Sequence, residues 1–441
     1  MLKRVNTLHK LYESQNGVFI QDLRKAFRAD LWHFIGEKTL FMLNLMGNHL
    51  SKSILLRKEF PTGAKMKGLL LIMFFSFVNF CFAQDLTYTR KTLTALTSPA
   101  LWGRGYTKNG MANAADFIEK EFAKMKLKPI QQVFSFPVNT FPGRMELSID
   151  GKKLIPGRDF IVSQASKGVN AAGTFVQKDS LNFINEEQKL ILTLQSKLTW
   201  SVATKVENYT QILVKKDVIS QQPQNFTIDI ENQFFPEFKA SNVYASIKGK
   251  KHPDSIVVIS AHYDHLGGMG NNTYFPGAND NASGVSFLLS LAKHYAKNPP
   301  PYTIAFICFG AEEAGLIGSK YFTENPLVDL SKIRFLLNLD LVGTGETGAT
   351  VVNATLRPKE FALLNAINAN GKFLVKINPR GKAANSDHYF FTEKGVPAFF
   401  LYTQGGIAAY HDVDDKAETL PFTVYDNLFK LVVGFTTALM K

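Results

Sequence analysis

Four nearly unbroken apolar runs set the tightest limit on what this chain can fold into: "SIVVISA" at 255–261, "YTIAFICFG" at 302–310, "IRFLLNLDLVG" at 333–343 and "PAFFLYT" at 397–403. A strand with one wet face alternates apolar and polar residues, whereas these runs need cover on both faces, as strands of a mostly parallel sheet do. Between them apolar residues recur at helical spacing and predict helices at 283–297, 314–324, 358–370 and 386–394. A last helix begins at Pro421, with Val424, Leu428, Leu431, Val432, Phe435 and Leu439 on its inner face. An earlier one, between Gly110 and Leu127, buries Met111, Ala114, Ala115, Ile118, Phe122 and Met125. Strands alternating with helices predict an α/β fold, a mixed, mostly parallel sheet flanked by helices.

Residues 128–240 break this pattern. Short segments such as "MELSID", "DFIVSQ", "GTFVQK", "YTQILVKK" and "NFTIDI" follow one another, separated by Gly, Pro and Asn turns, and predict an inserted β-rich domain. The α/β domain is then built from 84–127 and 241–441. Ahead of it, "MKGLLLIMFFSFVNFCFAQD" from Met66 has a positive start, an apolar run and the small residue Ala83. That reads as a signal peptide over 66–83, with export to the secreted or periplasmic space after cleavage near Ala83. The apolar part is shorter than the ~20 residues of a membrane-spanning helix, so no stable membrane anchor is expected. A signal peptide opens a chain, which makes residues 1–65 a leader lying upstream of the true start.

The formal net charge of +13 is that of a nucleic-acid binder, yet residues 1–65 hold 11 Lys or Arg against 5 Asp or Glu, and Lys67 adds one more. Seven of the thirteen charges therefore leave with the leader, and the 358-residue remainder carries +6. It has no Lys or Arg cluster interleaved with aromatics, so nucleic acid is not an expected partner. Cys81 lies in the signal segment and Cys308 is left alone, which excludes an intrachain disulfide.

In an open parallel sheet the ligand crevice lies at the carboxyl ends of the strands. His262 and Asp264 follow the first run, Glu312 and Glu313 follow the second, Asp340 ends the third, and a Gly-rich loop after the fourth closes on Tyr410 and His411. Asp280, in "GANDNASG", stands just before a helix. One acidic residue after a strand usually caps a helix; this many imidazoles and carboxylates on one edge point to a metal site. Zinc takes exactly such nitrogen and oxygen donors, and two ions about 3.5 to 4 Å apart can share a carboxylate. Charge balances: Asp280, Glu313 and Asp340 with one hydroxide neutralise two Zn²⁺. Alternation along a strand puts His262 and Asp264 on one side and sends His265 to the rim. Asp264 then meets the need of a ligating imidazole for an acceptor on its other nitrogen.

"AHYDHLG", "GANDNASG", "GAEEAGLIGS", "LNLDLVG", "SDH" and "YHDVDD" resemble, in order and spacing, the secreted dizinc aminopeptidases, whose wider family includes glutamate carboxypeptidases and glutaminyl cyclases. The resemblance covers about 86–127 and 241–441, and the insertion resembles a protease-associated domain. It implies two Zn²⁺ per chain, with His262 and Asp340 on one, Glu313 and His411 on the other, and Asp280 bridging through a cis Asp280–Asn281 peptide. It further implies Glu312 as general base, Asp264 orienting His262, and Tyr410 stabilising the oxyanion. The expected reaction is removal of N-terminal residues from peptide substrates by a water activated between the metals.

Within the same resemblance a carboxypeptidase or dipeptidase is the alternative, the former needing an Arg clamp such as Arg380 for the substrate carboxylate. A glutaminyl cyclase, which uses a single zinc, comes next. The complete ligand set argues against the cyclase and against a metal-free receptor-like relative. Two motifs carry nothing. "GTGETG" at 343–348 is followed by the strand-like "ATVVNA" where a dinucleotide fingerprint opens a helix. His388 has no G-x-S-x-G nucleophile to serve.

Overall fold

The computed structural model describes residues 86–441; the leader and signal-peptide readings lie outside the described residues. The main sheet takes its strands in chain order as β1 (Ile130–Thr140), β2 (Gln233–Ile247), β3 (His252–His262), β4 (Tyr302–Phe309), β5 (Ile333–Leu339), β6 (Gly348–Val352), β7 (Ile377–Pro379) and β8 (Ala398–Gln404). Their spatial order is β1-β2-β4-β3-β5-β8-β6-β7. The four apolar runs are the central strands β4, β3, β5 and β8, parallel to one another. Antiparallel pairing enters at β1 with β2, β2 with β4, and β6 with β8. The sheet is mixed, with its parallel part in the middle, as the apolar runs require.

Both faces are covered. Along β4, Ile304, Phe306 and Cys308 enter one hydrophobic cluster while Ala305, Ile307 and Phe309 enter another, the period of two that a doubly buried strand shows. The first cluster includes side chains of α1 (Leu86–Leu96), α2 (Gly110–Lys124), α3 (Gly284–Lys297), α5 (Pro358–Gly371) and α7 (Tyr425–Leu439). The second includes α4 (Ile317–Glu324) and α6 (His388–Glu393). The helices expected from periodicity are all present. Helix α4 starts three residues later than its apolar pattern, because Gly315 and Leu316 adopt left-handed φ values of 110° and 60° and hold the preceding stretch as a turn.

Residues 128–240, expected as an inserted β-rich domain, are rich in strands but divide differently. Strands β1 and β2 pair over nearly their whole length within the main sheet, so they belong to the α/β layer. What remains between them forms a four-stranded sheet drawn from 145–230 and a five-stranded sheet drawn from 160–215. These sheets enclose their own core, including Phe160, Leu192, Ile212 and Ile228, into which Leu266, Met269 and Phe275 of the α/β segment also pack. "ATVVNA" is indeed a strand, β6. Among the described residues no helix is long and apolar enough to cross a membrane.

Candidate metal centre

Register decides where the functional groups emerge. His262 pairs with Phe309, Ser260 with Asn338 and Leu339 with Leu401, so the carboxyl ends of β3, β4, β5 and β8 finish at one edge. His262 closes β3, Glu312 and Glu313 follow β4 after a turn at Ala311, and Asp340 follows β5. Asp280 arrives from the loop ahead of α3, and its peptide bond to Asn281 is cis.

Those groups converge. His262 Nε2 lies 3.3 Å from Asp280 Oδ1 and 3.4 Å from Asp340 Oδ1. His411 Nε2 lies 3.0 Å from Asp280 Oδ2 and 3.2 Å from Glu313 Oε2. Each oxygen of Asp280 thus faces a different imidazole, and two nitrogen–oxygen clusters share one carboxylate. Asp340 Oδ1 is buried with no hydrogen-bond partner. A buried anionic oxygen without a donor is costly, and a cation held between Asp340, Asp280 and His262 satisfies it. The donor set is imidazole nitrogen and carboxylate oxygen, which suits zinc.

The remaining sites divide by environment. Glu312 is only partly exposed, and burial pushes its carboxyl well above the ordinary range; His262 opposes that rise, while Glu313, Asp387 and Asp340 add to it. Burial likewise opposes ionisation of Glu313, yet His411 and His265 hold it down to about 2. Burial works to neutralise His411, but Glu313 and Asp280 drive it up to about 11, so the cluster draws positive charge to that nitrogen. Tyr410 is 44% exposed and stacks on the His411 ring at 4.0 Å. Partial burial, then the carboxylates of Asp280 and Glu313, raise its phenol, which keeps its proton and stays a donor.

Asp264 meets His262 through its main chain rather than its carboxylate. The imidazole Nδ1 lies 3.2 Å from the Asp264 main-chain oxygen and 3.7 Å from its Oδ1. The carboxylate itself accepts from the amides of Glu312 and Glu313, at 3.0 and 3.2 Å, and from the Tyr106 hydroxyl at 3.0 Å. It therefore sets the glutamate pair as well.

His265 is not at the rim. Strand alternation does not reach it: β3 ends at His262, and the loop that follows turns His265 inward. Its ring is fully buried and its Nδ1 lies 2.8 Å from Glu313 Oε1. Gly277 makes room for it, since a Cβ there would sit 2.4 Å from the imidazole Cδ2 and 2.2 Å from the Asp280 carbonyl oxygen.

Further residues support the site from other segments. The Arg104 guanidinium is buried and donates to the main-chain oxygens of Tyr263, Leu96, Pro276, Gly277 and Asp280, between 2.7 and 3.1 Å. Burial lowers its pKa to about 10, so it remains charged at neutral pH. Asp415 accepts from the amides of Asn279 and Asp280 at 2.8 and 3.0 Å. Below the sheet edge, Ser260 donates to Asn338, Asn338 to Ser386, and Ser386 to Asp340 Oδ2, leaving Oδ1 for the cluster. Arg380, the residue a carboxylate clamp would use, is exposed, with its amide bonded to Val351.

Residues 242–436, which contain every residue of the two clusters, match the family described as Peptidase family M28. This stretch is an M28 peptidase domain. Its fold agrees with solved M28 structures: a peptidase M28 precursor from Shewanella amazonensis superposes with a TM-score of 0.64 at 16% identity, covering 81% of this chain and 94% of that one. A zinc aminopeptidase from Bacillus subtilis gives 0.61 at 21% identity, covering 80% and 94%. In sequence the chain is similar to aminopeptidase YwaD of Bacillus subtilis, 31% identical over 215 residues that are 46% of each protein. The matched region thus spans less than half of that relative's length.

Proposed function

We propose that the chain is a dizinc aminopeptidase that hydrolyses the N-terminal residue from peptides. The observation that carries this reading is the division of Asp280 between two imidazole–carboxylate clusters, with the Glu312 carboxyl in neither but within electrostatic reach of His262, Glu313 and Asp340. Similarity to YwaD, an aminopeptidase by name, supports the same activity.

His262 and Asp340 would hold one zinc, Glu313 and His411 the other, and Asp280 would serve both. Zinc supplies Lewis-acid polarisation of a carbonyl and lowers the pKa of water to about 7. Glu312 takes the proton of the attacking water and passes it to the leaving amine. Its raised pKa suits a group that must accept a proton and then give it up. Tyr410, protonated and at the mouth of the site, donates to the developing oxyanion. The charge at the site favours the amino direction. The Arg104 guanidinium is spent on main-chain oxygens and Arg380 is exposed, so neither positive group is placed to take a substrate carboxylate.

The test uses zinc-loaded protein against aminoacyl-nitroanilides, their N-acetyl forms, and peptides with amidated C-termini. Cleavage of the free-amine substrates and the amidated peptides, with none of the acetylated ones, is expected. A requirement for a free carboxyl terminus would make the enzyme a carboxypeptidase. Closure of N-terminal Gln without hydrolysis would make it a cyclase.

A further inference from the structure

The two imidazoles of the metal centre find their supporting acceptor in different ways. His262 Nδ1 turns to the main-chain oxygen of Asp264, two residues along its own segment. His411 Nδ1 turns 211 residues back, to the Trp200 main-chain oxygen at 2.9 Å. The Trp200 amide in turn donates to the His411 carbonyl at 2.9 Å. One residue of the β-rich insertion therefore grips the histidine through both its ring and its backbone.

The grip matters because the histidine's own loop offers little. Gly405, Gly406, Ala408 and Tyr410 are exposed, and the stretch has no regular structure. Lys197, also in the insertion, adds a bond to the Ala408 carbonyl at 3.0 Å and an ion pair with Asp412 at 3.5 Å. Trp200 is itself well fixed. It is 5% exposed, its ring stacks on Phe275 at 4.8 Å, and its indole N–H donates to the Val162 carbonyl at 2.7 Å.

A proton on Nδ1 pointing at the Trp200 oxygen leaves the Nε2 lone pair facing Asp280 and Glu313, which is the tautomer a ligand needs. We propose that the insertion, through Trp200, is the positioning element for His411. Building on the dizinc reading above, zinc at the Glu313–His411 position depends on the insertion, while zinc at the His262–Asp340 position does not. The insertion is then part of the metal centre's support, whatever else its surface does.

The experiment titrates zinc into full-length protein, Trp200→Ala, Trp200→Phe and Lys197→Ala, reading affinity by calorimetry and bound zinc by elemental analysis. Folding is checked by circular dichroism. Trp200→Ala keeps the carbonyl and amide but removes the stack and the indole hydrogen bond that fix them; it is expected to keep one tight zinc and to bind the other more weakly, by up to the about 10- to 100-fold that a displaced supporting partner costs. Trp200→Phe, which keeps the stack and the backbone path, restores most of that loss. Lys197→Ala, on an exposed side chain, loosens the same zinc by less. Equal weakening of both zincs, or unchanged affinity in folded Trp200→Ala, overturns the proposal. Should Trp200→Ala not fold, ¹⁵N-histidine spectra of the unaltered protein decide: a hydrogen-bonded Nδ1 proton on His411 is expected, and Nδ1 without one overturns it. Fewer than two zincs on the unaltered protein would instead refute the dizinc reading.

Discussion

Glu312 and Glu313 share a turn, a charge type and a backbone anchor on Asp264, yet their surroundings push them apart. Glu313 lies between His265 and His411, which keep it ionised and ready to ligate. Glu312 faces acids and burial, which favour its protonated form. Changing each to glutamine separates the roles. Glu312→Gln is expected to retain its zinc and lose about 10²- to 10⁴-fold in kcat with little change in KM. Glu313→Gln is expected to lose zinc first. Turnover and zinc content measured on the same preparations check this, and near-normal turnover in Glu312→Gln would remove it as the base. At this scale His265 carries the lesson about legibility. Its chemistry was plain in "AHYDHLG", but its direction depended on where β3 stops pairing, which "SAHYDHLGG" alone does not mark.

Among elements, Arg104 is the tie. It ends the short 3-10 helix Pro99–Arg104 that follows α1 and binds the main chain just after His262 and at Asp280, so one side chain ties the segments that carry these two residues. Arg104→Met leaves five buried carbonyls without this donor. It is expected to lower unfolding stability by about 3 kcal/mol or more, read by urea titration, with weaker zinc binding alongside. A change under about 1 kcal/mol, the range of an exposed ion pair, would contradict that role.

Helix α6 makes a pH prediction. His388 is fully buried beside Phe400, and burial, with Arg380 adding, lowers its pKa to about 4. The unfolded chain binds a proton at this histidine below about 6.5, where the folded chain does not. Stability therefore falls as pH drops from about 6.5 to about 4, by about 3 kcal/mol in all. His388→Phe should flatten this part of the acid limb in urea midpoints taken at neutral and acid pH. An unchanged slope would place the acid sensitivity elsewhere.

For the whole molecule, the described residues 86–441 by themselves supply the clusters that cover both faces of the main sheet and fill the insertion. A chain of residues 84–441 is accordingly expected to fold, bind zinc and unfold at the full-length midpoint in a thermal melt. A large drop in that midpoint would give residues 1–83 a structural part. What the amino-acid order determined by itself was the α/β architecture, the existence of an inserted β-rich module and the edge on which His262, Asp280, Glu312, Glu313, Asp340 and His411 emerge. Those follow from local signals: apolar runs too continuous for one wet face, helical spacing between them, and polar residues at the ends of buried strands. Only the tertiary structure decided that β1 and β2 join the main sheet, that His265 turns into the site, and that Arg104, Asp415 and Trp200 hold its loops in place. These supports meet main-chain carbonyls and amides of other segments, groups that every residue type carries alike. Apart from Asp415, which closes "YHDVDD", no side-chain pattern announces them, and they come together only when the segments have packed.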